Sequence, residues 1–529
     1  MKLNYKRVIF VGFAFFLITA FWQAYDTIVP KILTDKFGLP QAWSGAIMAL
    51  DNVFALFLLP VFGAVSDKVN SKFGRRTPFI VIGAVCAAVL LVTLSIPDAA
   101  QLKNIESVTA TEGEAYTEAL GTIWEENPSV NDWRSDDLLA GKKPLQELIS
   151  KEAFTAIPMQ VTDENGKTAT NPEYSNVVVP ARQAYAARAT AKNAVPLVIF
   201  MVLLFLTLIA MGSFRSPAVA LMPDVTVKPL RSKANAVINL MGTAGGILVL
   251  LLGTVFGTGK TQNALMGYTT FFAIVAGIML VGLAVFLWKV REPKWAAEMQ
   301  KESQRLGLDA PTEEQGGTEE RKLSRGERIS LFLILASVVF WFMGYNAVTS
   351  KYSVYASTVL NVDYNTTLLI AQAAAIIAYL PVGMLSSKLG RKKMILGGVV
   401  ILGVSFFFAS FLSADSPNGV KQILMPLLFA MAGIGWATIN VNSYPMVVEL
   451  SRGSNVGKYT GFYYTASMAA QVLTPILSGV FLDINFRTLF PYATVFVALA
   501  FVTMFFVRHG DSKPDAVQVA LDAAGGGDD

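Results

Sequence analysis

Cysteine and histidine are almost absent from this chain of 529 residues, which carries one of each, Cys86 and His509. One cysteine excludes an internal disulfide and a cysteine metal site; Cys86 lies in an apolar run and reads as packing. His509 falls beyond the last apolar run, which excludes a histidine proton relay or metal centre within those runs. No metal and no cofactor is expected. Charge is scarce too. Asp, Glu, Lys and Arg make up 15% of the chain against 53% hydrophobic residues, gathered in long blocks, a pattern too apolar for a soluble protein of this length. Alternating segments of about ten residues, the mark of a membrane barrel, are missing, so spanning segments have to be helices. The first apolar run follows Lys2, Lys6 and Arg7 but continues too far, and lacks a small-residue cleavage site, for a cleaved signal peptide. The expected class is an all-α, multi-pass membrane protein whose partners include the lipid bilayer. The net charge of +5 is accounted for by orientation, and no nucleic-acid partner is expected.

Twelve runs are long enough to cross a bilayer. They lie near 8–29, 42–66, 77–96, 194–222, 234–257 and 266–289, then 329–350, 365–386, 393–413, 421–443, 459–482 and 488–507. Cations cluster in alternate connections, at the N-terminus, 67–76, 225–233, 289–328, 387–393, 451–458 and the tail. The positive-inside rule therefore places both termini on the cytoplasmic side of the cell membrane. Two connections are long. Residues 97–192 fall outside by parity and read as an extracytoplasmic insertion, either an ordered cap or a substrate-handling lid; WRSDDLLAGKKPLQELISKEAF within it has a helical composition. Residues 292–327, charged and glycine-containing, read as a flexible cytoplasmic linker. It divides an N-terminal six-helix bundle, 1–291, from a C-terminal one, 328–508, and a disordered tail follows at 509–529.

The two halves are related. GAVSDKVNSKFGRRTPFIVIG at 63–83 puts Asp67, Lys68, Lys72, Arg75 and Arg76 between two apolar runs, and GMLSSKLGRKKMILGG at 383–398 repeats the hinge. Tyr25-Asp26 precedes Leu59-Pro60 much as Tyr345-Asn346 precedes Leu380-Pro381. Counting back from each proline pairs Asp51 with Gln372. MPDV and VVEL pair Asp224 with Glu449, and counting back from those acids pairs Arg215 with Asn440. Mid-span acids and an arginine in the first half thus face amides in the second. Duplication of this kind is common among transporters.

GAVSDKVNSKFGRRTPF resembles the signature of the major facilitator superfamily, and its expansion before the second glycine is similar to that of plant and animal sucrose transporters. GLPQAWSGAIMAL and SPAVALMPDV are similar to the same group. The wider glycoside–pentoside–hexuronide:cation symporters, including the melibiose carriers, share the arrangement more loosely. The resemblance covers nearly all spans but not 97–192. It implies the major facilitator fold, twelve transmembrane helices in two pseudo-symmetric six-helix bundles, and a sugar symporter. Two departures stand out. The plant carriers have an arginine where this chain has Val219, and here Arg215 is one turn earlier; the melibiose carriers' second-span acids fall near Ala55 and Leu59, and here only Asp51 is close.

A carboxylate held at mid-membrane costs several kcal/mol and normally faces a cavity with a task. Asp26 and Asp51 are therefore candidates for cation or proton coupling, or for accepting sugar hydroxyls. Arg215 is their candidate partner, in a bidentate pair that substrate or a proton would break; the alternative for all three is a static buried ion pair. Trp22, Gln23, Tyr25, Asn239, Trp341, Tyr345, Asn346, Gln372, Trp436, Asn440 and Gln471 supply aromatic faces and amides inside apolar spans. That set suits a carbohydrate cavity, and each member alone also suits packing or interhelical hydrogen bonding. Asp67, Arg75, Arg76, Asp224, Arg391 and Glu449 form a candidate cytoplasmic gate. GTVFGTGKT at 253–261 resembles a phosphate loop but has one residue too many between its glycines. Asn365-Thr366-Thr367 is a glycosylation sequon.

The expected function is secondary active transport without covalent chemistry, so not an enzyme: cation-coupled, proton-driven symport of a glycoside or small oligosaccharide by alternating access, in a monomer. Two alternatives stand beside it. One is an exporter or carrier of a non-sugar solute; the other is a transporter-like receptor acting through 97–192.

Overall fold

The computed structural model describes residues 4–69, 71–132, 141–162, 168–226, 231–305, 324–413, 416–449 and 456–509. The twelve expected spans are all present as long helices. The first six are Tyr5–Lys31, Gln41–Lys68, Thr77–Thr93, Val195–Asp224, Arg231–Phe256 and Thr269–Lys289. The second six are Arg325–Tyr355, Tyr364–Leu389, Arg391–Ala409, Asn418–Glu449, Val456–Ile484 and Leu489–Phe505. Among the described residues, 11 segments are long and apolar enough to cross a membrane; the remaining one, Tyr364–Leu389, is a 26-residue helix with Pro381 inside it.

Local chemistry sets the helix ends. Pro78 and Pro196 stand in the first turns of the third and fourth spans, where a missing N–H is not needed. Pro30 near the end of the first span removes a donor. The helix then widens into a π turn, Ile32–Lys36, with the Thr34 hydroxyl donating to the Pro30 carbonyl at 3.0 Å. A second π turn, Ala356–Leu360, ends the seventh span before Asn361, which takes a left-handed conformation at φ 56°. GTVFGTGKT proves to be a helix end. Gly257, at φ 62°, follows the last residue of the fifth span, the position that favours glycine.

The chain divides into two compact units, Met1–Gly316 with Ser353–Thr366, and Gly317–Tyr352 with Thr367–Asp529. In the first, the first span packs against the fifth and sixth, and the fourth against the second and third. Small residues permit this closeness: a side chain at Gly245 of the fifth span would stand 2.5 Å from the Phe16 carbonyl oxygen. Leu17, Phe21, Leu33, Phe200, Phe271 and Phe272 form the buried centre. In the second unit the ninth span packs against the tenth and twelfth, around buried Tyr352, Phe406, Phe429 and Phe490. Cys86 is exposed rather than packed, because its side of the third span faces away from the fourth and sixth.

Two boundaries differ from expectation. The helix of the third span is followed directly by Ser95–Asn104, so 97–104 is not loop. It is tied to the end of the first span, with Lys36 Nζ donating to Asp98 Oδ1 at 2.6 Å and Gln101 Nε2 donating to the Lys36 carbonyl at 2.8 Å. Likewise 292–305 of the expected linker is a helix, Glu292–Arg305, held by Arg7 over the Trp295 ring. Residues 306–323 and the expected tail beyond 509 lie outside the described residues.

The insertion is an ordered cap. Helix Gly113–Glu125, two antiparallel hairpins (Ser129–Asn131 with Lys142–Pro144, and Gln160–Thr162 with Thr168–Thr170), a π turn at Tyr174–Val178 and helix Val179–Lys192 enclose a core of their own. Leu120, Ile123, Leu145, Phe154, Tyr174 and Val178 are buried in it. Of the stretch with helical composition, Leu145–Leu148 and Lys151–Thr155 form short helices, Lys142–Pro144 is a strand, and 133–140 lies outside the described residues.

Candidate functional site

Three of the expected residues meet in the first unit. Asp51 is held at the middle of the second span, where Asn52 Nδ2 donates to its Oδ1 at 2.7 Å. Arg215 comes from the fourth span, two residues before Pro217. Trp22 of the first span lies beside it, with the guanidinium carbon 5.7 Å from the ring centroid. Trp22, Asp51 and Arg215 line a cavity of about 10 Å³ walled by Leu58, Leu208 and Gly212, room for no more than about one water. Asp26, one turn along from Trp22, is exposed although it sits inside the span. Both acids act on Arg215 through space, but among the described residues neither forms a direct ion pair with it. The expected bidentate pair is replaced by a cation over an aromatic face, a contact that suits the flat, weakly hydrated guanidinium.

The other expected residues of this unit divide. Tyr25 is fully buried between Phe21, at 6.0 Å, and Trp22, at 5.2 Å, a packing position. Gln23 is half-buried and Asn239 is exposed.

In the second unit Tyr345 and Trp436 stack on each other, with centroids 3.7 Å apart and planes within 2°, and Phe342 meets Trp436 edge-on at 5.2 Å. Each ring therefore spends one face on the other. Trp341 is fully buried and packs rather than lines. Asn346, Gln372, Asn440 and Gln471 are half-buried. Gln471 donates to the Ser467 carbonyl at 3.3 Å, while Asn346 Nδ2 is buried with no hydrogen-bond partner among the described residues.

The gate residues of the first half form a relay. Arg75 Nη2 lies 2.9 Å from Asp224 Oδ1, and Arg76 Nε lies 2.8 Å from Asp224 Oδ2. Arg76 also donates to the Gly63 carbonyl and to Ser66. The sequence reading missed the relay's centre, Glu292. Its carboxylate accepts from the backbone N–H groups of Arg75 at 2.8 Å, Arg76 at 2.9 Å and Thr77 at 2.7 Å, and from the Thr77 hydroxyl at 2.7 Å. This is an anion capping the third span's N-terminus from a distant part of the chain. Gly74, at φ 107°, makes room, since a side chain there would collide with the Glu292 carboxylate. Glu292 was hidden in a charged stretch that reads as linker. Arg391 begins the ninth span and is half-buried; the side chains of Asp67 and Glu449 lie outside the described ones.

At the opposite ends of the spans lies a buried polar seam that sequence reading also missed. Lys31, Asp35, Lys36 and Asp98 are all at most 2% exposed. The sequon belongs to this seam: Asn365 is buried, and its Nδ2 donates to Thr258 Oγ1 and Asp363 Oδ1, both at 3.0 Å, so it is no glycan acceptor.

Known proteins resemble the chain in parts and in fold. It is 39% identical over 59 residues to a sucrose transport protein of Arabidopsis thaliana, 11% of this chain and 12% of that one. It is 30% identical over 84 residues to the human proton-associated sugar transporter A, 16% of this chain and 11% of that one. These matches thus span only about a tenth of each relative's length. An inward-open structure of the xylose transporter XylE from E. coli superimposes with a TM-score of 0.55 at 15% identity, over 98% of this chain and 100% of that one. A point-mutant structure of the nucleoside transporter NupG gives 0.54 at 12% identity, over 95% and 100%. Residues 10–102 match the family described as MFS/sugar transport protein, and 184–379 and 364–523 match the Major Facilitator Superfamily. Matched over more than half its length in the expected arrangement of spans, this multi-pass membrane protein belongs to the Major Facilitator Superfamily.

Proposed function

We propose that the protein is a proton-coupled symporter of a glycoside or small oligosaccharide, working as a monomer with both termini cytoplasmic and the cap outside. The carrying observation is that Asp51, Trp22 and Arg215 meet at one cavity in mid-span, with Asp26 one turn away. Two carboxylates within reach of one guanidinium, neither bonded to it, form a site whose charge balance changes by a single proton. With both acids ionised the site is net negative, and with one protonated it is neutral, so loading a proton prepares it for an uncharged solute. Only a difference in loading between the inward and outward states turns this into coupling. Tyr345 and Trp436 bring aromatic rings, and Asn346 and Asn440 bring amides, the groups that suit the C–H side and the hydroxyls of a sugar ring.

The test is uptake of radiolabelled glycosides, with a pentose and a nucleoside in the same panel, into proteoliposomes under imposed proton or sodium gradients. Accumulation of a glycoside driven by protons is the expected result. Transport indifferent to both gradients would leave a uniporter, and uptake of only the nucleoside would overturn the sugar assignment.

A further inference from the structure

Among the described residues the chain has three π turns, and all three lie along one seam. Ile32–Lys36 ends the first span, Ala356–Leu360 ends the seventh, and Tyr174–Val178 belongs to the cap. A π turn is rare, less stable than an α turn and concentrated at functional positions. The cap meets the first span through Gln183 Nε2, which donates to Asp35 at 2.8 Å, and through Thr190 Oγ1, which donates to the Phe37 carbonyl at 2.9 Å. Among the described residues it is hydrogen-bonded to the segment after the seventh span by Ser175 Oγ donating to Asn361 Oδ1 at 2.8 Å. That segment is held further by the start of the hairpin between fifth and sixth spans. Thr261 donates to the Ser357 carbonyl, and Thr258 Oγ1 lies 2.8 Å from the Tyr364 hydroxyl. Lys31 reaches from the first span to the Thr258 carbonyl at 2.8 Å.

The cap keeps an apolar core that takes in its own side of the seam, Tyr174 and Val178 included. Beside buried apolar residues such as Leu33 and Leu360, the seam carries hydrogen bonds and buried charge, and it is not fully satisfied among the described residues. Arg182, 5% exposed, gives Nη1 to the Tyr174 hydroxyl at 2.6 Å but leaves Nε and Nη2 without a hydrogen-bond partner among the described residues. Asp98 likewise keeps Oδ2 unpartnered among them. The hydrogen bonds of the seam exchange protein partners for water at small net cost, about 0.5–1.5 kcal/mol per bond, and still fix register. Unpaired groups at the seam recover hydration when it opens.

We propose that the cap is a latch: it fastens Ser353–Thr366 to the ends of the first and fifth spans through Ser175–Asn361, and parting of that joint accompanies opening of the protein at this end. The inference rests on transport by alternating access but not on the identity of the solute.

The test reads access rather than uptake. Cys86 is replaced by Ser, Thr358→Cys supplies one buried reporter on the seventh span's π turn, and labelling by a maleimide is timed in lipid nanodiscs. Ser175→Ala is expected to raise the labelling rate roughly two- to ten-fold, the worth of one hydrogen bond. Asn361→Gly keeps the left-handed backbone while removing the amide, and Ser175→Ala added to it is expected to have no further effect. Hydrogen exchange across 353–366 in the same variants, with the melting temperature monitored, separates local release from general unfolding. A labelling rate and an exchange rate both unchanged by Ser175→Ala would overturn the latch and leave the symport proposal untouched. Failure of glycoside uptake would leave the latch measurement equally readable.

Discussion

At the residue scale the protein turns on how Arg215 is accommodated. An arginine inside a membrane span has to be paired or wet, and this one lies over the Trp22 ring with two acids within electrostatic reach. Removing the charge of one acid should uncouple rather than abolish. Asp51→Asn is expected to cut gradient-driven accumulation at least ten-fold while counterflow exchange of labelled sugar persists, as measured in proteoliposomes. Arg215→Lys keeps the charge but loses the flat contact with Trp22; uptake is expected to fall roughly ten-fold, where a purely electrostatic role would leave it near wild type. In the second unit, Trp436→Leu preserves bulk and removes the stacking surface. The apparent KM for sugar should rise about five-fold, the size of one aromatic contact of about 1 kcal/mol, and an unchanged KM would remove Trp436 from the site.

At the element scale, the third span is begun by a residue more than two hundred positions away. Glu292 satisfies three backbone N–H groups at its first turn, while Asp224 takes the side chains of Arg75 and Arg76. Truncating Glu292 leaves those donors without their acceptor, each loss costing about 1–3 kcal/mol where the group is buried. Glu292→Ala is expected to lower the melting temperature in detergent clearly more than Asp224→Asn, since the Arg75 pair is solvated, where ion pairs contribute about 0–1 kcal/mol, and buried Arg76 keeps the Gly63 carbonyl and Ser66 as acceptors. A larger drop from Asp224→Asn would reverse that ranking. The helices themselves were legible from the apolar runs, because the bilayer leaves backbone groups no alternative to a helix. Glu292 was not, since a capping carboxylate and a solvated linker carboxylate look alike until the chain folds back.

At the scale of the whole molecule, topology is a matter of parity. Twelve spans put both ends of the chain on one side, whereas eleven would separate them. Reporters fused at Met1 and after Asp529 are expected to report the same, cytoplasmic compartment, and one inserted at 141 in the cap the opposite one. A split result would show that Tyr364–Leu389, which carries Tyr364 and Asn365 in a buried polar network, does not cross. The presence of the cap follows from the gap between the third and fourth apolar runs, but its fold follows from neither the hydropathy nor the repeat.

The sequence by itself determined the class and the placement of the spans, which depend on hydropathy and local spacing and survive without knowledge of any contact, and the resemblance of the hinge at 63–83 to a known signature pointed to the superfamily. It also singled out Asp51 and Arg215, because charge in an apolar run is conspicuous. Only the tertiary structure decided that these two share a cavity with Trp22, that Tyr25 and Trp341 are packing, that Asn365 is buried, and that Lys31, Asp35, Lys36, Asp98 and Glu292 are interior partners. Those outcomes depend on which residue lies opposite which across helices distant in sequence. A charge near the end of a span reads as surface until another element, such as the cap or the helix beginning at Glu292, closes over it.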